Sequence, residues 1–185
     1  RWRRAGHDVD VAVNIAARSL LEDGFDDEVR GLLERAGVPP EALTLELTES
    51  TIMSDASRAL EMLRRVAALG VRVSVDDFGT GYSSLSYLQR LPVDELKVDK
   101  SFVFDVSRNG NAQAIIRSVV ELGHSLGLKI VAEGVENKLA WDHLIELGCD
   151  VGQGYFLSRP IAEEDLLEWL DRRAERCTVR EPVLT

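Results

Sequence analysis

Six short apolar runs recur along the chain, most of them closing on a polar or charged residue, and helical patterns separate most neighbouring runs. The runs are Val11–Ile15, Leu43–Thr48, Val71–Val75, Glu95–Asp99, Leu128–Ala132 and Cys149–Val151. The intervening segments Asp26–Ala36, Ala56–Leu69, Ala112–Leu126 and Lys138–Leu147, with a final Glu163–Arg173, repeat apolar residues at helical spacing. Leu60, Leu63 and Ala67 show that period, and Gly70 follows where a helix C-cap belongs. A strand, a crossover helix and another strand make a parallel sheet.

The polar residues near the strand ends are Asn14, Glu46, Asp76, Lys97, Glu133 and Gln153, at steps of 32, 30, 21, 36 and 20 residues. One βα unit fits each step. A complete eight-unit barrel takes about 250 residues, whereas this chain has 185. The expected fold class is therefore α/β, a TIM-like (β/α) barrel, incomplete, with about six of eight βα units present. One domain is expected over residues 1–175, with a tail over 176–185.

Alternate strand residues face opposite sides. Val11 and Val13 oppose Ala12 and Asn14; Leu43, Leu45 and Leu47 oppose Thr44, Glu46 and Thr48; Val71, Val73 and Val75 oppose Arg72, Ser74 and Asp76. Leu96 and Val98 likewise oppose Lys97 and Asp99, and Ile130 and Ala132 oppose Val131 and Glu133. An antiparallel sheet with one wetted face also alternates, but the intervening helices argue for parallel strands covered outside. The polar parity then points into the barrel, where active sites are built at the C-terminal rim. Asn14, Glu46, Asp76, Lys97 and Glu133 converge there, with Asp77 expected to begin the following loop.

Like charges about 4 Å apart at an effective dielectric near 20 repel by roughly 4 kcal/mol, so four carboxylates in one mouth call for protonation or a hard cation. An all-oxygen donor set favours Mg²⁺, Mn²⁺ or Ca²⁺ over zinc. His7, His124 and His143 lie away from the strand ends, as helix or surface residues. Asp76-Asp77 runs into Phe78-Gly79-Thr80-Gly81-Tyr82-Ser83-Ser84, a glycine-bearing loop able to approach a ligand closely. Two ions about 3.5–4 Å apart are a common solution for phosphodiester cleavage. No G-x-G-x-x-G nucleotide fingerprint is present.

With a formal net charge of −10, the surface repels polyanions, so a nucleic-acid polymer is not an expected partner. No apolar run is long enough for membrane insertion, and no signal-peptide pattern opens the sequence. Cys149 and Cys177 make neither a disulfide framework nor a zinc site, which fits a reducing cytoplasm.

Val13-Asn14-Ile15, Glu46-Leu47-Thr48-Glu49-Ser50, Asp76 through Leu85, Leu96-Lys97-Val98-Asp99, Ala132-Glu133-Gly134-Val135-Glu136 and Gly152-Gln153-Gly154-Tyr155 resemble the bacterial EAL-type cyclic-di-GMP phosphodiesterase domain. Their order and spacing match from Trp2 to about Leu170. The resemblance implies metal-dependent hydrolysis of cyclic di-GMP to linear pGpG, with two Mg²⁺ or Mn²⁺ ions per complete site. Asn14, Glu46 and Asp76 would bind the first ion, and Asp76, Asp77 and Glu133 the second. Lys97 would orient the attacking water, so Lys97 and Glu133 are the catalytic candidates. Gln153 and Glu136 would line the substrate or support the site. Glu49 would brace the loop carrying Gly79 and Gly81, which in the family lies at a homodimer contact. The resemblance also implies an upstream sensory or GGDEF domain.

Departures accompany the match. The family's Glu-Ala-Leu motif, which supplies a metal carboxylate, normally precedes the Asn14 strand, and the 185 residues do not contain it there. Glu41-Ala42-Leu43 spells the letters at the wrong place in the order. Ala16 and Ser19 stand where serine and glutamine are usual. The chain, lacking an initiator Met, is expected to be an excised piece of a longer enzyme with low activity of its own. The alternative function is a catalytically inactive cyclic-di-GMP receptor or dimerisation module.

Overall fold

The computed structural model describes residues 2–79 and 85–178. Two compact units are present, one over Asp10–Leu157 and one joining Arg1–Val9 to Ser158–Thr185. The larger unit holds one six-stranded sheet in sequence order, every pair parallel. Its strands are β1 (Val11–Asn14), β2 (Leu43–Thr48), β3 (Arg72–Phe78), β4 (Glu95–Val98), β5 (Lys129–Ala132) and β6 (Val151–Gly152). The helices between them are α1 (Ala17–Leu20), α2 (Phe25–Ala36), α3 (Glu49–Ser54), α4 (Ala56–Ala68), α5 (Leu85–Leu88), α6 (Lys100–Phe104), α7 (Gly110–Ser125) and α8 (Lys138–Leu147). This is a partial TIM-like barrel, as the strand count anticipates.

Local chemistry sets the helix limits. Asp55 accepts from the Arg58 N–H at 3.2 Å to start α4, and Asn137 accepts from the Ala140 N–H at 2.9 Å to start α8. Ala59, Met62, Leu63 and Val66 give α4 its buried face, and Ile116, Val119 and Val120 do the same for α7. They cover Leu45, Leu47, Val73, Val75, Leu96, Val98, Ile130 and Ala132, the apolar parity of the middle strands. The opposite parity is also enclosed there, since Thr44, Ser74 and Lys97 are buried.

Several expectations need correction. Val11 and Val13 were expected under helices, but each is 41 % exposed because β1 is an edge strand bonded only to β2 among the described residues. Asp77 does not open the loop. Pairing with β4 shifts register between Val75 and Phe78, so β3 continues through Asp77 across a bulge. Asp99 leaves β4 to cap α6, accepting from the Ser101 N–H at 3.0 Å. The Cys149–Val151 run yields only the two-residue β6, paired through Val131↔Val151 and Ala132↔Gly152.

At the strand starts, two aspartates tie neighbouring segments together. Asp94 Oδ2 accepts from the Val73 N–H and Asp150 Oδ2 from the Ile130 N–H, both at 2.8 Å. Asp150 also lies 3.0 Å from His124 Nε2. Cys149 is a free thiol, and burial followed by the neighbouring Asp150 charge pushes it up to about 11.

The smaller unit contains α9 (Glu163–Thr178), longer than the expected Glu163–Arg173. His7 Nε2 lies 3.1 Å from Asp171 Oδ1, and Arg3 Nη2 lies 2.5 Å from Asp8 Oδ1. Of the expected tail, residues 179–185 fall outside the described residues. No described helix is long and apolar enough to cross a membrane.

Burial alone would raise the Asp150 carboxyl, but the Ile130 N–H and His124 outweigh it and hold the group below its ordinary range. A depressed folded value means stability present above the unfolded carboxylate range near pH 3.9 and lost as pH falls through the folded value. Asp150→Ala is expected to lower stability by about 1 kcal/mol at pH 7, with a smaller deficit near pH 2–3, measured by urea unfolding across pH. Asp150→Asn should retain the acceptor and lose the acid dependence.

Candidate active site

The C-terminal ends of β2, β3, β4 and β5 bring their polar side chains together. Lys97 Nζ lies 2.6 Å from Glu133 Oε1, 2.9 Å from Glu46 Oε1 and 3.6 Å from Asp76 Oδ1. The lysine side chain is 4 % exposed and the three carboxylates 19 %, 12 % and 14 %, in that order. One buried ammonium thus faces three carboxylates, rather than pairing with Asp99, the other partner its strand parity allows.

Register explains the convergence. Glu46 pairs with Ser74, so Asp76 stands one pleat further along β3, and Lys97 pairs with Val131 two residues before Glu133. The Glu133 N–H donates to the Val98 carbonyl at 3.2 Å, fixing β5's exit beside β4.

The electrostatics are those of a site with too much negative charge. Burial would lower the Lys97 ammonium, but hydrogen bonds to Glu133 and Glu46 and the Asp76 charge more than offset it, holding it above the ordinary lysine range. Burial raises Glu133, and the Asp76 and Glu46 charges add to that, so its direction stays upward despite the close Lys97. An isolated pair would push the two partners apart. Here one cation is divided among several anions.

Asp77 completes the group. It has φ +55°, in the left-handed region, and its N–H donates to Asp76 Oδ1 at 2.9 Å. Burial, then Asp76, then Asp99 raise its carboxyl, which shares a hydrogen bond with Asp99. Asp99 is held low because Ser101 and Asp77 bond to it against the cost of burial. Carboxylate oxygens of Asp76, Asp77 and Glu133 all lie within 4.8 Å of one another. A hard divalent cation fits this donor set, because it is all oxygen and carries unneutralised charge.

The other candidates take separate positions. Asn14 ends β1, paired in register with Glu46 and exposed. Gln153, also exposed, donates its N–H to the Ala132 carbonyl at 2.8 Å and accepts from the Val135 N–H at 3.0 Å. Glu136 lines a separate hollow with Asp105, Arg108 and Asn137. Glu49 opens α3 beside Ile52, Val75, Phe78 and Tyr87, and its Oε2 is buried without a hydrogen-bond partner among the described residues. Gly79 has φ +96°, whereas Gly81 lies outside the described residues. Of the larger unit's histidines, His124 pairs with Asp150, and His143 Nδ1 lies 3.6 Å from Glu146 Oε2.

Asp99 as the partner of Asp77 was not anticipated. The available signal was an aspartate two residues before Ser101 at a strand end, an N-cap pattern. Its second contact comes from the fold alone.

The EAL domain family profile matches residues 1–160. The chain belongs to the EAL domain family. It is 47 % identical over 167 residues to the bifunctional diguanylate cyclase/cyclic di-GMP phosphodiesterase MucR of Pseudomonas aeruginosa, covering 90 % of this chain and 24 % of that protein. It is 43 % identical over 180 residues to the cyclic di-GMP phosphodiesterase NbdA of the same organism, covering 97 % and 23 %. This EAL chain therefore spans about a quarter of the length of these relatives. Among solved structures, it resembles the MucR phosphodiesterase in complex with c-di-GMP, with a TM-score of 0.86 and 47 % identity over 90 % of this chain and 68 % of that one. The EAL domain of Mycobacterium smegmatis DcpA is similar with a TM-score of 0.88 and 39 % identity, over 93 % and 78 %.

Removing one partner of a buried charged group costs about 3–5 kcal/mol. Lys97→Met is expected to lose stability on that scale at pH 8 and to recover part of it as pH falls, because burial and the neighbouring carboxylates make the Glu133 carboxyl easier to protonate. Thermal unfolding across a pH series downward from 8 checks this. An equal loss throughout would mean that lost packing, not charge, sets the effect.

Proposed function

We propose that this EAL domain hydrolyses cyclic di-GMP to linear pGpG with Mg²⁺ or Mn²⁺. The observation that carries the reading is the meeting of Glu46, Asp76 and Glu133 around Lys97, with Asp77 beside them, at the C-terminal mouth of parallel strands. Relatives named as cyclic di-GMP phosphodiesterases share 43–47 % of the aligned residues.

Asn14, Glu46 and Asp76 would hold one ion, and Asp76, Asp77 and Glu133 a second. When bound, such ions activate water and neutralise the leaving oxygen of a phosphodiester. Lys97 stays protonated, so it is a poor base; its N–H groups instead hold the attacking water beside Glu133. Water oxygen adds to phosphorus, the bond to the ribose 3′-oxygen breaks, and that oxygen ends protonated. Gln153 and Glu136 would contact the dinucleotide or support those that do, while Glu49, Gly79 and Gly81 hold the loop after Asp77. A homodimer through that loop, a GGDEF or sensory partner domain, a cytoplasmic setting and a single domain over residues 1–175 belong to the same reading.

The test is chromatographic detection of pGpG from cyclic di-GMP, using the full gene product that carries these residues. Turnover should require Mn²⁺ or Mg²⁺ and stop with a chelator. Asp76→Asn and Lys97→Ala should each reduce it by at least about 100-fold, the scale of a lost electrostatic contact to the reacting group. Binding without product over hours would replace this reading with an inactive receptor.

A further inference from the structure

The two carboxylates at the rim of the cluster, Asp77 and Glu133, lie on different strands, and each is followed within two residues by a glycine with positive φ. Gly79 has φ +96° and Gly134 has φ +69°. Both turns abut the same piece of chain. A Cβ at Gly79 would stand 3.4 Å from Phe102 Cε2, and one at Gly134 would stand 2.6 Å from Lys100 Cβ and 3.4 Å from its Cα. The shared neighbour is the first turn of α6, only three residues beyond Lys97.

That turn is itself firmly placed. Asp99 caps it through the Ser101 N–H, and the Phe102 N–H donates to the Asp99 carbonyl at 3.1 Å. Phe102 packs, partly buried, against the core cluster. Val98, just before the cap, pairs with both Phe78 and Ala132. A left-handed non-glycine residue such as Asp77 is strained and persists only where its surroundings hold it. The Asp76 carboxylate is one such restraint, through the Asp77 N–H. The Asp99 carboxyl is another.

We infer that the first turn of α6, Lys100 to Phe102, is a wedge that sets the spacing of Asp77 from Glu133, with Phe102 a positioning residue that holds Asp77 in its left-handed turn. The inference rests on the proposed metal-dependent reading only for what that spacing serves. Phe102 stands beside Gly79, where an added Cβ would meet its ring, and acts on Asp77 through that stretch of backbone.

Two measurements on the full gene product that carries these residues test it. In metal-free protein, Phe102→Ala should speed hydrogen exchange of the Asp77 amide by about tenfold, while the Val73 amide, bonded to Asp94, keeps its wild-type rate. Phe102→Leu should restore most of the protection. Titration with Mn²⁺, followed by water-proton relaxation, should show an affinity about tenfold weaker for Phe102→Ala and near wild type for Phe102→Leu. Should circular dichroism find Phe102→Ala unfolded, Gly134→Ala takes its place, because a methyl at 2.6 Å from Lys100 displaces the same turn. Unchanged Asp77 exchange in a folded variant overturns the wedge. A wild-type gene product that binds no Mn²⁺ overturns the metal reading instead, and the exchange comparison still decides the wedge.

Discussion

Everything at the mouth of this half-barrel is arranged around one ammonium group that is almost sealed from water. Removing a charge from water costs several kcal/mol, and the cost is met only by close, well-directed partners. Lys97 has three, on three different strands. Their mutual repulsion is what the lysine offsets, yet with Asp77 included, four carboxylates still outnumber one cation when all are ionised. The residual negative field suits the mouth to a hard cation and, without one, makes it a poor place for a phosphate.

The sheet separates this task from the task of staying folded. At the strand starts, Asp94 and Asp150 accept backbone N–H groups of the preceding strand and thereby lock register. At the strand ends, side chains of the same residue types are turned inward and left facing one another. In a parallel sheet, side-chain period is two, so a register slip of one residue would bury the carboxylates among the helices. The aspartates at the strand starts therefore protect the inward placement of those at the mouth.

Much of this was legible before any coordinates. The period-two alternation of Glu46, Asp76, Lys97 and Glu133 against Leu47, Val75, Leu96 and Ala132 identified the inward set, and the apolar patterning placed Leu43–Thr48 and Lys138–Leu147 at their observed limits. Elements of four to six residues, namely α1, α3, α5 and α6, escaped because a single helical turn has too few positions to show a period. The same reasoning misjudged β1, whose valines alternate correctly but lie on a strand paired on one side only. It also placed Asp77 in a loop, since a bulge depends on the partner strand and leaves no periodic trace. The Asp77–Asp99 contact joins residues 22 positions apart, and no local pattern encodes such a meeting.

The backbone at position 77 narrows what evolution can put there. Asparagine enters a left-handed turn as readily as aspartate but brings no charge, whereas glutamate brings the charge on a longer arm and fits the turn less well. Aspartate alone satisfies both demands. Since aspartate and asparagine codons differ by a single base, descendants of this chain stand one mutational step from a protein with the same shape and one fewer negative charge at its mouth.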